Sequence, residues 1–589
     1  MDAVARNKWK KGCFIFGGSG DAVQMNTVFT FISSAFAFLW VFSGFAYAQG
    51  PESVAKQIFG IIQAGQKTNI FTCRKERICG ISTIPEFYLK RGYAPAWTLE
   101  GNPTPFAKEL VSSLASSGYE GLSPEIYHYS EIQKILAQLG DSDSRSGTAT
   151  PSTLAELDIL LTDAFLLYAT HLLSGRVDPE TIHTAWVAFH PEVDLAGELS
   201  EALATGRIAE RLAALTPSDE GYRRLKTALL IYRKNAAEKR WLQIPSGPAL
   251  KSGETDARVA LLRKFFKATG DLKNTADETS LSFDKPMDSA LRRFQRRHGL
   301  EADGILGKET LNQLNRPVAG RIRQMELNLE RWRWLPHDLG QRYVLVNIAA
   351  FHLDVVESGR SVLNMRVVVG THYRKTPVFS ETMKYLEINP YWNVPFRIAV
   401  EDKLPLIQKN PSCLLENGYR VLNGWEGDVT EVAPESIDWS GITRSNFFYR
   451  LRQDPGPQNA LGRIKFMFPN RFSVYLHDTP QQKLFNMKVR TFSSGCIRVE
   501  KPLELATYLL NEDPAWSKEQ IEKAIISEKN RAIILKNPIP VHLLYWTAWV
   551  EPDGAIHFRK DIYGRDLLLD RALKERPQST ESLVGKTYQ

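Results

Sequence analysis

A cysteine and a histidine carry the covalent chemistry open to this sequence. Cys496 sits in RTFSSGCIRVE (490–500), after two serines and between a glycine and Ile-Arg. His477 closes the alternating stretch of SVYLHDT (473–479). The thiolate, not the thiol, is the nucleophile, and a free cysteine titrates at about 8.5. An imidazole within reach would take its proton near neutral pH. Gly495 leaves room for a substrate to approach the backbone, and the N–H groups of Gly495 and Cys496 are candidate donors to a developing oxyanion. Arg498 lies two residues beyond Cys496. On an extended chain both side chains face one way, so Arg498 can meet a substrate carboxylate, or else simply occupy a solvated strand face.

Other uses of these residues have to be weighed. The chain has five cysteines. Cys13 belongs to the leader. Cys73 and Cys79 are close neighbours in FTCRKERICG, and a local disulfide is expected between them in an oxidising compartment. Cys413 could pair with Cys496, which would remove the nucleophile. The closely spaced ligand pairs of a metal site are missing, so neither metal nor other cofactor is expected. GIIQAGQKT (60–68) imitates a phosphate-binding loop but has an extra residue before the lysine and no preceding strand.

The elements that must position the pair are strands. From about 340 the hydrophobic period is two, in YVLVNIAAFHLDVVESG, LNMRVVVG, IKFMF and SVYLH. A long insertion over 396–458, with Trp425, Trp439 and several prolines, interrupts this region, and an insertion of that size is functional or disordered. After Cys496, PLELATYLLNEDP is helical, and strands return around Pro-Asp-Gly in the tail. Upstream, helical periodicity dominates 49–249. AELDILLTDAFLLYATHLLSG (155–175) is apolar on more than one face and should be largely buried. DSDSRSGTATPS (141–152) reads as a loop. Between the two regions, 250–316 reads as three short helices with an Asp303-Gly304 turn.

With 589 residues, 43% of them hydrophobic and 24% charged, the chain is too long for one core and ordinary for globular domains. A net charge of +8 is small for this length and implies a mildly basic surface rather than a nucleic-acid partner. Arg6, Lys8, Lys10 and Lys11 precede the uncharged run 27–47 and Ala46-Tyr47-Ala48, which reads as an export signal cleaved after Ala48, or as an uncleaved membrane anchor.

Two resemblances sharpen this reading. The pattern FQ…GL…DG…G…T…LN over 250–316 resembles a peptidoglycan-binding domain. HDT followed by SSGCIRV, with EINPYWNVP (387–395) and NALGRIKF (459–466), resembles the catalytic motif of L,D-transpeptidases of the YkuD type, in the large periplasmic YcbB-like form. The resemblance implies an α+β multidomain chain. It comprises a helical scaffold (49–249), a small wall-binding domain (250–316), a mostly-β catalytic domain (340–535) with a lid (396–458), and C-terminal strands (536–589) that return to scaffold or catalytic domain. It implies Cys496 as nucleophile and His477 as base. Gly495, Ser494, Arg498, Tyr475 and Trp392 fall at oxyanion or substrate positions. The implied partners are peptidoglycan stem peptides, a tetrapeptide donor and a diaminopimelate amine acceptor, in the periplasm. In this family carbapenems acylate the cysteine. Hydrolysis by the same pair, giving an L,D-carboxypeptidase or endopeptidase, and a non-catalytic wall-binding scaffold are the rival functions. Cys73, Cys79 and Cys413 have no counterpart in the family pattern.

Overall fold

The computed structural model describes residues 53–68, 71–140, 150–238, 241–272, 277–424 and 429–575. The leader over 1–48, most of the 141–152 loop, Trp425 of the insertion and the tail from 576 lie outside the described residues.

The architecture is α+β, with a helical region, a three-helix module and a mostly-β region. The helical region packs around α1 (Pro151–Ser174), capped by Thr150, whose side chain accepts from Thr153 N at 3.2 Å. This helix is long and apolar enough to cross a membrane, but it is wholly buried within the protein and is a core helix. Its two buried acids tie irregular chain to it. Asp158 accepts from the Tyr88 hydroxyl at 2.7 Å and from Ala96 and Trp97 N at 2.7 and 2.9 Å. Asp163 accepts from Cys79 and Gly80 N at 2.9 and 2.7 Å, and from His128 Nε2 at 2.8 Å. Each carboxylate thus satisfies backbone donors that would otherwise be buried without partners. GIIQAGQKT lies inside the helix Val54–Thr68 and is no loop at all.

The expected Cys73–Cys79 disulfide is not formed, since both residues are thiols. Cys73 turns its Sγ to the Glu156 carbonyl of α1 at 3.7 Å, whereas the backbone of Cys79 is fixed on Asp163, so the two are held for different contacts. Cys413, in the short helix Cys413–Glu416, is also a thiol, so the Cys413–Cys496 alternative is not realised.

The module consists of α2 (Arg258–Ala268), α3 (Lys285–Arg297) and α4 (Lys308–Leu314), closed around Val259, Leu262, Phe266, Leu291, Phe294 and Leu314. Gln295 organises its turn. It donates to Asp303 Oδ1 at 2.7 Å and accepts from Gly304 N at 2.9 Å, so the FQ and DG of the pattern are bonded to each other.

The β region is built from β1 (Arg342–Asn347), β2 (His352–Glu357), β3 (Arg360–Gly370), β4 (Phe379–Ile388), β5 (Ile464–Met467), β6 (Leu476–His477), β7 (Thr491–Ser493), β8 (Ile497–Val499) and β9 (Arg531–Leu544). They form one nine-stranded sheet in the order β7-β3-β8-β6-β5-β4-β9-β1-β2, and β2 also pairs with β3, which closes the sheet into a barrel. Val344, Val346, Val367, Leu386, Phe466, Ile497 and Val541 fill its interior. Strand β9 runs across residue 535, where the sequence pattern separates the catalytic domain from the C-terminal strands. The hairpin Ala548–Val550 with Ile556–Phe558 packs on Tyr222, Leu225, Tyr232 and Trp332 of the helices.

The insertion between β4 and β5 is folded. Its strands Tyr419–Asn423, Thr430–Val432 and Tyr449–Gln453, together with Trp392–Asn393, make a separate four-stranded sheet. They cover a core of their own that includes Trp392, Leu404, Trp439 and Leu451.

Candidate active site

Strands β6 and β8 run parallel with Leu476 opposite Ile497 and His477 opposite Arg498. Ile497 N donates to Tyr475 O at 3.1 Å, which extends the register one pair outward and sets Tyr475 beside Cys496. Alternation then places Tyr475, His477, Cys496 and Arg498 on one face of two adjacent strands. The third strand adds a residue that the sequence reading passed over. Lys465 of β5 is the cross-strand partner of His477, and its Nζ stands 4.5 Å above the Tyr475 ring.

Each side chain is held by local chemistry. His477 Nδ1 donates to the Asp478 carbonyl at 2.5 Å, which leaves Nε2 as the nitrogen with the lone pair. The Asp478 carboxylate accepts from Arg463 N and Thr479 N, both at 2.7 Å. Gly462 is at φ +64°, and a Cβ there would come within 2.3 Å of that carboxylate, so the LGR of one motif is fitted to the HD of another. Gly495 is at φ +121°, which disfavours any L side chain. Thr376 Oγ1 donates to Gly495 O at 2.8 Å, and Ser493 Oγ donates to Cys496 O at 2.5 Å.

Gly495 N–H donates to Ser493 Oγ at 3.2 Å, so it is already engaged. Among the described residues nothing accepts from Cys496 N–H, which is the donor left for an oxyanion.

Burial, with Cys496 beside it, pushes the Tyr475 hydroxyl up, and Trp392 pulls the other way. Cys496 Sγ lies 3.9 Å from Ser473 O. Arg498 donates to Gln481 Oε1 at 2.6 Å, and Ser494 Oγ accepts from Arg374 Nη1 at 2.9 Å. Trp392, Ser494, Tyr475, His477, Cys496 and Arg498 all line one cavity of about 950 Å³. The wall includes His183 and Ala185 of the helical region and Arg565 of the last helix, residues with no signal in the sequence. The chain over 185–187 reaches the barrel because Val378 N donates to Ala185 O at 3.0 Å and Val187 N to Val378 O at 2.9 Å.

The electrostatics favour a neutral pair at rest. Burial, with Arg498 and Lys465, lowers His477 to about 3 against the opposing carbonyls of Asp478 and Leu461. Burial raises the Cys496 thiol above its ordinary value, while the Tyr475 backbone and hydroxyl, Lys465 and Arg498 pull the other way. The site therefore holds thiol and imidazole, with two cations ready to stabilise negative charge on sulfur.

Comparison with known proteins matches three stretches of the chain to known families. Residues 341–520 match the family described as "L,D-transpeptidase catalytic domain", 255–314 match "Putative peptidoglycan binding domain" and 82–229 match "Scaffold domain". A Haemophilus influenzae protein named "Putative L,D-transpeptidase" is 39% identical over 249 residues, which is 42% of this chain and 49% of that protein, so the chain spans about half the length of this curated relative. Solved L,D-transpeptidases from Xylanimonas cellulosilytica and Stackebrandtia nassauensis are 15% and 14% identical and each cover 51% of this chain, and 99% and 97% of their own. Their TM-scores are 0.17 and 0.20, too low to bear on the fold. By these matches the β region is similar to an L,D-transpeptidase catalytic domain of the YkuD family, joined in one polypeptide to a module similar to a peptidoglycan-binding domain.

Proposed function

We propose that the chain is an exported, periplasmic L,D-transpeptidase that forms 3→3 cross-links between peptidoglycan stems through a thioester on Cys496. The observation that carries this is the β6–β8 frame, which sets the Cys496 thiol, the His477 ring and the Tyr475 hydroxyl on one face of a single cavity. His477 Nε2 takes the thiol proton as sulfur attacks the carbonyl carbon of the third stem residue, a diaminopimelate. The tetrahedral oxyanion accepts from Cys496 N–H. Collapse returns the proton to the departing D-Ala amine and leaves the acyl group on sulfur. The side-chain amine of a second stem attacks the thioester, its proton passes to His477, and the thiol is restored. One amide is lost and one is made, so no ATP is needed.

The low resting pKa of His477 suits this sequence once charge appears. A thiolate beside the ring favours imidazolium, and a substrate carboxylate on Arg498 removes one of the cations that suppress it. The insertion over 396–458 serves as a lid that keeps water from the thioester, and its deletion is expected to raise hydrolysis relative to transfer. The 250–316 module holds the chain on its polymer.

The test is incubation with purified disaccharide-tetrapeptide and mass spectrometry of the products. Dimers linked 3→3 are expected. Tripeptide alone would make the chain a carboxypeptidase, and unchanged substrate would leave a wall-binding scaffold.

A further inference from the structure

Among the described residues the cavity is lined by six cationic side chains, Arg374, Lys375, Arg397, Lys403, Arg498 and Arg565, and by one acid, Asp402. That acid belongs to the insertion and is spent on a single partner. Arg374 Nη1 donates to Asp402 Oδ2 at 2.5 Å and Nη2 to Oδ1 at 2.7 Å, the two-pronged contact that a guanidinium makes with a free carboxylate. Nη2 also donates to Glu401 Oε2 at 2.7 Å, and Nη1 to Ser494 Oγ at 2.9 Å, two residues before Cys496. The two acids sit on the π-helical turn Ala399–Lys403, a rare form of turn that concentrates at functional sites. Glu401 is shared further, with Arg397 at 3.0 Å and Arg444 at 3.2 Å.

The position of Arg374 matters more than the strength of its contacts. Its side chain is 17% exposed and that of Asp402 is 41% exposed, so the pair is open to water and individually weak, and another carboxylate can take the place of Asp402. A carboxylate held there is bonded to the same guanidinium that holds Ser494. In a donor stem, the terminal carboxylate is three bonds from the scissile carbonyl, which matches so short a reach. We propose that Arg374 is the receptor for the terminal carboxylate of the donor stem, and that Asp402 keeps its place in the empty cavity. Substrate entry and release of the 399–403 turn are then one exchange of carboxylates. This assignment rests on the reading that the cavity takes a stem peptide, and it makes Arg374 the residue that selects a free carboxyl terminus.

The experiment uses the full chain with Cys496→Ala, titrated calorimetrically with the tetrapeptide and with its C-terminal amide, and hydrogen exchange followed over 399–403. The acid is expected to bind about tenfold more tightly than the amide, and to raise exchange in the turn where the amide does not. Arg374→Ala should bring the acid-to-amide ratio to about one, with Arg374→Lys between. Glu401→Gln with Asp402→Asn should tighten the acid severalfold and leave the amide unchanged. Equal binding of acid and amide by Cys496→Ala, with turnover of tetrapeptide by the parent chain, would overturn the Arg374 assignment alone. Loss of affinity for both ligands in the Glu401–Asp402 variant would reduce the contact to a structural latch. No binding of either ligand by Cys496→Ala, with no turnover by the parent chain, would overturn the assignment and the substrate reading together.

Discussion

Two buried histidines in this molecule face opposite surroundings. His128, in the helical region, lies between carboxylates, with Nε2 2.8 Å from Asp163 and Nδ1 3.2 Å from Glu76. Burial opposes its charge, but the hydrogen bond and charge of Asp163, then those of Glu76, prevail, and its pKa is raised. His477, in the barrel, lies beside Lys465 and Arg498 and is lowered to about 3. Two carboxylates hold one ring toward its charged form, and burial with two cations holds the other neutral. The difference teaches that burial disfavours charge on both rings, and that the charge of the neighbours decides whether the pKa ends above or below its ordinary value.

The largest test of that contrast is catalytic. His477→Ala is expected to slow acylation of Cys496 by a carbapenem about 10²–10⁴-fold, and His128→Ala to leave it within about twofold for folded protein. Intact-mass kinetics read both, and equal losses would erase the distinction. In stability the roles reverse. Asp163→Ala removes the carboxylate that holds His128 toward its charged form and the acceptor of the Cys79 and Gly80 N–H groups, at a cost of about 3–5 kcal/mol in denaturant unfolding. A midpoint within error of the parent would show that the ion pair is dispensable.

The pH dependence separates the two rings by sign. The raised pKa of His128 contributes stability that is fully present below its unfolded value of about 6.5 and is lost as pH rises through the folded value. For His477 the unfolded chain binds the extra proton between about 3 and 6.5, so its contribution to stability falls as pH falls through that window. Urea midpoints of His128→Gln and His477→Gln across pH 4–9 should therefore depart from the parent in opposite directions. Parallel curves would contradict the assignment. A smaller effect is expected from Lys465→Met, a severalfold slower acylation as one cation leaves the sulfur's surroundings, with stability nearly unchanged.

Sequence carried the contrast only part of the way. Cys496, His477 and Arg498 were legible because β alternation and a glycine-flanked thiol are local patterns. Tyr475 and Trp392 came through resemblance, and both line the cavity that Cys496 lines. The helix Pro151–Ser174 and the three-helix module followed from periodicity. Lys465 stood in a quoted motif, but its value depends on cross-strand register, which only the barrel sets. Arg374, His183 and Arg565 gave no signal, because their approach to Cys496 joins segments far apart in the chain. The expected Cys73–Cys79 bridge failed for the same reason, since contacts with a distant helix, not proximity in sequence, hold both residues.

The central claim is that one sulfur carries the acyl group. Full-length protein quenched during turnover of disaccharide-tetrapeptide, then weighed intact and mapped by peptide mass spectrometry, tests it most directly. The acyl group of the shortened stem, lacking D-Ala, is expected on Cys496, and it should disappear when an acceptor amine is supplied. Release of D-Ala with Cys496 unmodified at every time, or the adduct on another residue, would contradict it.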